Sequence, residues 1–206
     1  MKKLKMTSRN IQRLNTKKRI LTESMRLFLE KGYHGTSIDE ITRAVDLTKG
    51  GFYWHFKSKE DLLKRIIKEF EKRFLGGLIQ AVNGVQGSFV DRIEKYFRYN
   101  SAFAYYHHDM CVSFTTLSGE LVGAHHSIEP EIRRIYKKWQ NFVSSLILQG
   151  KKEKIVKKEF DADLTALIII AYHNGNLFQW LMNRDRIDGE VYVNTSKKII
   201  LKGLMV

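Results

Sequence analysis

The chain has 206 residues and a formal net charge of +14, long enough to bury a core in one or two domains. Its single proline favours an all-helical protein, and its single cysteine, Cys111, excludes an intramolecular disulfide. The charge is uneven, because residues 1–75 hold 19 Lys and Arg against 9 Asp and Glu. Such an excess in one segment is typical of a phosphate-binding face.

No segment predicts export or membrane insertion. The basic N-terminus lacks the apolar core of a signal peptide. The most apolar stretch, 164–181, is interrupted by His173, Asn174, Asn176 and Gln179, so we do not expect it to span a membrane. These features predict a cytoplasmic protein without a membrane partner.

Residues 1–14 form a basic, weakly patterned arm. Two interpretations fit this composition: a disordered tail, or an arm that contacts phosphates or a minor groove. A helix is predicted next, over about 15–31, and Gly32 is a standard terminator for it. Its apolar stripe consists of Ile20, Leu21, Met25 and Phe28.

The stretch 37–56 predicts two short helices joined by a tight turn. Ser37 is suited to cap the first helix, whose first turn is acidic. Asp46 and Leu47 form the turn, because aspartate tolerates left-handed backbone geometry better than most residues. Thr48 can cap the second helix.

The second helix has an apolar inner face and a basic, aromatic outer face. Phe52 and Phe56 are four residues apart and are expected to point inward. The outer face carries Lys49, Gly50 and Tyr53, with Trp54 at its flank. Two helices with such an outer face form a helix-turn-helix, whose second helix can enter a major groove of DNA.

The run from Arg19 to Leu63 resembles the DNA-binding domain of the TetR family of bacterial transcriptional regulators. The matching positions are Phe28, Gly32-Tyr33, Thr36-Ser37, Ile41, Lys49-Gly50, Tyr53, Phe56 and Lys59 to Leu63. Thr42, Val45-Asp46 and Gly51 depart from the family, which usually has Ala, Ala-Gly, and Thr or Ser at these positions. These departures bear on the angle between the two helices, and hence on the operator sequence that the protein would recognise.

The resemblance implies an all-α regulator of about nine helices in two domains. Residues 1–58 would form a three-helix DNA-binding domain with a basic arm, and residues 59–206 a helical ligand-binding and dimerisation domain. The second domain resembles the family only in its architecture and in short echoes such as Asn174-Gly175. The family's homodimer, palindromic operator and inducer pocket are therefore expectations for this chain.

The predicted DNA-binding residues fall into two groups. Lys49 and Trp54 are candidates for contacts with base edges or the groove. Contacts that hold phosphates and orientation are expected from Thr36, Thr48, Tyr53, His55 and Lys59. Ser37 and Gly50 complete the predicted interface.

The remaining helices are predicted from their caps and apolar stripes. One covers about 59–83, where Gly76-Gly77 is either a break or a hinge that transmits motion. The others cover about 88–106, 109–124, a long segment capped by Ser127, a segment from Asp161 or Asp163 to 183, and 192–204. The lysine-rich stretch 151–158 is expected to be a solvated connector.

Aromatic and polar residues alternate along the middle helices. An aromatic stripe at helical spacing is typical of a core, but polar residues inside an apolar helix favour a cavity, because buried polar groups are costly. We expect a small apolar or aromatic effector to contact Phe97, Tyr105, Met110, Phe114, Trp139, Tyr172, His173, Asn174 and Phe178.

The two C-terminal helices are the predicted dimer interface. Residues 164–172 are apolar nearly all round, so their helix must be buried on more than one side. We expect residues 161–183 and 192–204 to form a four-helix bundle with their symmetry mates. Ile169 and Ile200 are the candidate interface residues.

No cofactor or metal is expected. The pairs His107-His108 and His125-His126 suggest a metal site, but adjacent helical histidines point about 100° apart and lack a zinc-motif spacing. No nucleophile elbow or phosphate-binding glycine loop indicates an enzyme. The predicted function is a ligand-responsive transcriptional repressor released from its operator by the effector. The alternatives are a ligand-independent architectural DNA-binding protein and a small-molecule-binding enzyme.

Overall fold

The computed structural model describes residues 8–206, and every regular element in that range is a helix. The helices are α1 Ser8–Lys31, α2 Ile38–Ala44, α3 Lys49–Tyr53, α4 Lys59–Phe70, α5 Gly77–Asn83, α6 Phe89–Tyr106, α7 His108–Leu121, α8 Glu129–Lys152, α9 Ala162–Asn183 and α10 Gly189–Leu204. A π-helical turn, Glu71–Gly76, joins α4 to α5 without a break. α4, this turn and α5 form one continuous helical rod. With the rod counted once, the described chain has nine helices, and the all-α prediction is confirmed.

The first helix begins earlier than predicted. Residues 8–14, assigned above to a loose arm, belong to α1, whose sequence contains no glycine or proline to interrupt it. The rest of that arm, residues 1–7, lies outside the described residues. Gly32 ends α1 as expected, with a φ of 74° that favours glycine.

The helix-turn-helix forms as predicted because its local signals agree. The Ser37 hydroxyl accepts a hydrogen bond from the Glu40 N–H, and the Glu40 carboxylate accepts one from the Ser37 N–H at 2.8 Å, which makes a capping box. The Thr48 hydroxyl caps α3 by accepting from the Gly51 N–H at 3.1 Å. Asp46 adopts a φ of 52° in the turn, so it takes the left-handed place that glycine usually fills.

The rod from α4 to α5 is anchored at its π-helical turn. Arg134 of α8 forms a two-pronged ion pair with Glu71, with N···O distances of 3.0 and 2.6 Å. Hydrogen bonds from Arg134 lower the pKa of Glu71 to about 2. The Tyr99 hydroxyl of α6 donates to the Arg73 carbonyl at 2.9 Å. A Cβ at residue 77 would lie 2.1 Å from that hydroxyl oxygen, so Gly77 has a packing reason to be glycine.

Two of the later helix starts differ from the prediction. Ser127 does not cap α8, whose N-cap is Ile128, because the Ser127 hydroxyl instead donates to the Glu60 carboxylate at 2.8 Å. Helix α10 begins at Gly189, three residues before the predicted start, since the Asp188 carboxylate caps it there. Asp161 caps α9, which is one of the two predicted starts.

The first three helices are tied to the rest of the chain through α4 and α7. The Glu120 carboxylate of α7 accepts hydrogen bonds from the backbone N–H groups of Tyr33 and His34, at 2.8 and 3.1 Å. The rings of Phe70 in α4 and Phe114 in α7 stack with their centroids 3.8 Å apart. Helix α1 packs along α7. The helix-turn-helix therefore has a fixed place on the helical body.

Between residues 8 and 206, no helix combines the length and the apolar character needed to cross a bilayer.

Replacing Gly77 with alanine should destabilise the protein more than replacing Gly76. The new methyl group would force the Tyr99 ring to move and its hydrogen bond to Arg73 to stretch or break. Gly76 is the matched control, because a Cβ there would only reach ordinary contact with the Glu71 carbonyl, at 3.5 Å. We expect the free energies of unfolding of the two alanine variants, measured with urea, to differ by about 1–3 kcal/mol. Adding Tyr99→Phe to Gly77→Ala should remove part of this difference. Equal stability of the two alanine variants would contradict this packing account.

Candidate DNA-binding interface and ligand cavity

Helix α3 presents the predicted outer face to solvent. Tyr53 and Trp54 are 52% and 62% exposed, whereas Phe52 is fully buried beneath them. The Lys49 ammonium lies 2.9 Å from the Asp39 carboxylate of α2, and its hydrogen bond to that group raises the pKa of Lys49. Lys49 therefore keeps its charge at neutral pH and lies at the surface, where it is paired with Asp39.

The hydroxyls of Ser37 and Thr48 are engaged within the helix-turn-helix. Each accepts a backbone N–H at the start of a helix, and this sets the direction in which α2 and α3 leave the preceding loop. Gly50 lies in the first turn of α3, where an added Cβ would meet only the Thr48 hydroxyl, at 3.8 Å. This part of the surface therefore leaves room for a close approach.

Two residues predicted to contact phosphates instead hold the loop between α1 and α2. Thr36 is 1% exposed, and its hydroxyl donates to the Gly32 carbonyl at 2.8 Å. The Lys59 ammonium donates to the carbonyls of Tyr33 and Thr36, at 2.8 and 2.7 Å. Burial lowers the pKa of Lys59. The phosphate contact assigned to Thr36 is corrected, because this buried side chain holds the loop; the Lys59 ammonium is engaged there as well.

Helix α1 adds two basic residues that the sequence analysis did not name individually. The Arg13 guanidinium lies 4.6 Å from the Trp54 ring centroid, and the Lys17 ammonium lies 5.2 Å from that of Phe56. The pKa of His55 is lowered, first by burial and then by the charges of these two residues. Their four-residue spacing would have placed them on one helical face, but it becomes a signal only once α1 is known to extend that far.

A cavity of about 480 Å³ lies between α6, α9 and α10. Four of the nine predicted effector contacts line it: Phe97, Tyr105, Tyr172 and His173. The lining also includes Asn100, Trp180 and Lys197, which the sequence analysis did not select. A second cavity of about 560 Å³, between α7, α8 and α9, is lined by none of the nine.

The other five predicted contacts lie away from this cavity's lining. Met110, Phe114 and Trp139 are buried in the core, as an aromatic stripe at helical spacing often is. The Trp139 indole N–H donates to the Tyr96 hydroxyl at 3.2 Å. The Asn174 side-chain amide lies 3.5 Å from the hydroxyl of Tyr136, and Phe178 is exposed on α9.

The charged residues of the lining lie at its edge or are paired. Arg98 and Glu190 are exposed, and the Lys197 ammonium lies 3.0 Å from the Glu94 carboxylate. The His173 ring lies beside the rings of Phe74 and Trp139, with centroid distances of 6.0 and 5.4 Å. Burial lowers the pKa of His173 to about 4, so this imidazole is neutral at pH 7.

A row of apolar side chains on α9 and α10 faces solvent. Ile168 is 65% exposed, whereas Ile169 is 1% exposed and belongs to the core. The choice of Ile169 as an interface residue is therefore corrected, since one residue along a helix turns the side chain by about 100°. Ile200 is half-buried beside the core. The exposed row comprises Leu164, Leu167, Ile168, Phe178, Met182, Val191 and Ile199.

The described residues offer neither a metal site nor a reactive cysteine. Over the described range 8–206, no three His, Cys, Asp or Glu side chains are grouped so that they could hold a metal ion. Burial raises the pKa of Cys111 to about 12, so its thiol is protonated and unreactive at neutral pH.

The lowered pKa of His173 predicts acid sensitivity. Between the ordinary value of 6.5 and the folded value of about 4, the unfolded chain binds more protons, so stability falls as the pH is lowered through this window. His173→Gln removes the titrating group. Between pH 7 and pH 4.5 its free energy of unfolding should therefore fall by at least about 1 kcal/mol less than that of the wild type. Urea unfolding at both pH values measures this, with His34→Gln as the exposed control. Parallel losses in wild type and His173→Gln would contradict the assignment.

The comparisons with known proteins agree with this geometry. Residues 20–66 match the family model of bacterial regulatory proteins, tetR family. The transcriptional repressor DhaR of Mycobacterium sp. (strain GP1) is 25% identical over 174 residues, which cover 84% of this chain and 86% of DhaR.

Solved structures share the fold over nearly the whole chain. The MbdR regulator from Azoarcus sp. CIB has a TM-score of 0.83 at 24% identity, covering 93% of this chain and 100% of that one. AibR in complex with isovaleryl coenzyme A and operator DNA has a TM-score of 0.73 at 22% identity, covering 89% and 97%. The family resemblance read from Arg19 to Leu63 is thereby confirmed: residues 20–66 match the bacterial regulatory proteins of the tetR family, and the rest of the chain shares the fold of solved regulators.

Proposed function

We propose that the protein is a cytoplasmic, homodimeric repressor that binds a palindromic operator and is released by a small apolar or aromatic effector. In this proposal residues 1–58 bind DNA, and residues 59–206 bind the effector and dimerise. The protein acts by binding alone and catalyses no reaction.

The outer surface of α3 is the observation that carries the DNA-binding proposal. Tyr53 and Trp54 are exposed at the end of a helix that Thr48 caps at its start, and Lys49 lies at its first turn. Arg13 and Lys17 extend the positive charge onto the adjacent α1. A positively charged surface around a protruding helix suits a major groove bordered by phosphates.

The cavity between α6, α9 and α10 supports the effector proposal. Apolar and aromatic walls with a few polar groups are typical of small-molecule sites. An architectural DNA-binding protein would have a fully packed second domain. The cavity of about 480 Å³ therefore favours an effector-binding protein over that alternative. The AibR structure, which shares the fold, is a complex with isovaleryl coenzyme A, a ligand with a short apolar acyl group on a charged coenzyme A.

The exposed apolar row on α9 and α10 supports the dimer. Contiguous apolar patches on a soluble protein commonly mark interaction surfaces. Two copies related by a two-fold axis would cover each other's rows with the same residues, as an isologous interface requires. Such a dimer presents two copies of α3 to one palindrome.

For the effector to release DNA, it must bind one arrangement of the two α3 helices more tightly than the other. Two routes connect the cavity with α3. One is the continuous rod from α4 to α5, whose Phe74 lies beside the cavity-lining His173. The other is α7, whose Glu120 holds the loop after α1.

Changes on the α3 surface should alter DNA binding in two distinct ways. Lys49→Ala should cost about 1–3 kcal/mol and relax the preference at particular bases. Arg13→Ala and Tyr53→Phe should weaken binding to all sequences, and Arg13→Ala should reduce the salt slope by about 1. Fluorescence anisotropy on an operator selected from genomic fragments measures both effects. Lys198→Ala on α10 is the control, and wild-type binding by both Lys49→Ala and Arg13→Ala would overturn the proposed interface.

A charge in the exposed apolar row should separate the dimer. Ile168→Glu would bury a carboxylate between two apolar surfaces, so we expect monomers in sedimentation and a loss of operator affinity of at least about tenfold. Leu148→Glu is the matched control, since Leu148 is also an exposed apolar residue but lies on α8. The dimer proposal fails if the wild-type protein sediments as a monomer at micromolar concentration.

A further inference from the structure

Four charged side chains line the cavity between α6, α9 and α10, and three of them are stabilised within the protein. Glu94 and Lys197 pair with each other, at N···O distances of 3.1 and 3.0 Å. Glu190 lies in the first turn of α10, where the positive end of the helix stabilises a carboxylate. The fourth is Arg98, whose guanidinium makes no ion pair or hydrogen bond with any other residue between 8 and 206.

The surroundings of Arg98 explain why it has no counter-ion. A glutamate four residues before an arginine on a helix commonly pairs with it. Here the Glu94 carboxylate binds Lys197 of α10 instead, through both of its oxygens. Arg98 also lies in the middle of α6, away from either end of the helix. The lining therefore holds one cation whose charge no group in the described part of the chain neutralises.

A second group of the lining is also a donor without a partner. The indole N–H of Trp180 on α9 makes no hydrogen bond within residues 8–206 and is not fully buried. Guanidinium and indole groups can donate hydrogen bonds but cannot accept them. Arg98 and Trp180 therefore favour a ligand that brings acceptors.

The interior of the cavity suits an apolar body. Phe97, Ala104 and Leu177 contribute apolar walls, and His173 is neutral at pH 7. Arg98 is exposed, so it lies at the edge of the cavity. An anion that meets Arg98 there keeps part of its hydration, while an apolar body extends between the walls.

We propose that the cavity binds an apolar or aromatic carboxylic acid whose carboxylate pairs with the Arg98 guanidinium. The planar guanidinium offers parallel N–H groups that match the two oxygens of a carboxylate. This inference rests on the proposed function, because it takes the cavity as the effector site and names the class of its effector.

A free carboxylate fits this lining better than two other charged groups. A coenzyme A thioester would bring several phosphate charges to a lining with one unpaired cation and two carboxylates. An amine would need Glu190, which the end of α10 already stabilises, and Arg98 would repel it.

The test uses two acids, 4-phenylbutyrate and octanoate, each compared with its own amide by calorimetry on the full chain. The amides keep the shape of the acids and lose the charge. We expect each acid that binds to do so about three- to tenfold more tightly than its amide at low salt, because an exposed pair contributes modestly. This preference should shrink in 0.5 M salt, since salt screens exposed charges.

Three variants separate Arg98 from general effects of charge. Arg98→Met keeps an unbranched side chain without the charge and should bring acid and amide within about twofold of each other. Lys95→Met is the matched control, because it removes the same charge from the same helix outside the lining, and it should retain the preference. Glu94→Gln removes a carboxylate from the lining and releases Lys197, so it should strengthen acid binding, a direction that damage to the fold would not produce.

Five results would overturn the inference. They are equal affinity for acid and amide, an unchanged preference in Arg98→Met, tighter binding of 4-phenylbutylamine than of 4-phenylbutyrate, tighter Arg98-dependent binding of octanoyl coenzyme A than of octanoate, and no binding of either acid. Operator binding is titrated in parallel to separate the two proposals. A protein that binds operator but shows no preference for acids loses this inference only. A protein that shows the preference but binds no operator contradicts the proposed function instead.

Discussion

The polar contacts of the loop between α1 and α2 hold the helix-turn-helix on the rest of the molecule. Glu120 of α7 accepts the N–H groups of Tyr33 and His34, while the Lys59 ammonium of α4 binds the carbonyls of Tyr33 and Thr36. Because one loop has its donors and acceptors satisfied from two different helices, it cannot shift without breaking hydrogen bonds to both of them. The position of α3 therefore depends on α7 as well as on the covalent link through α4.

Aromatic packing continues this connection into the second half of the chain. Phe70 stacks on Phe114 of α7, and Phe74, in the π-helical turn, contacts Trp139 and His173. His173 also lines the cavity, so an occupant that touches its ring is one side chain away from the rod that ends in the helix-turn-helix. Close-packed interiors transmit displacement because they contain little free space to absorb it.

The two surfaces that carry the proposed function differ in how they are held. The outer face of α3 is fixed by short-range caps, at Ser37 and Thr48, and stays exposed because Phe52 takes the inner position. The cavity is formed by side chains from three helices that are distant in sequence, and its lining keeps Arg98 without a counter-ion among the described residues. The first arrangement suits a rigid reader of DNA, and the second suits a site that changes when it is filled.

The sequence by itself determined the helical class, the helix-turn-helix and most helix ends, because caps, glycine terminators and apolar spacing act over four or five residues. The left-handed turn at Asp46 is such a local feature. Only the tertiary structure decided which side chains face inward, since that depends on helices distant in sequence. It turned Thr36 into the loop, placed Ile169 in the core beside an exposed Ile168, and left Asn100 at the cavity. No local pattern distinguishes these environments, because the partner surface that creates each one comes from elsewhere in the chain.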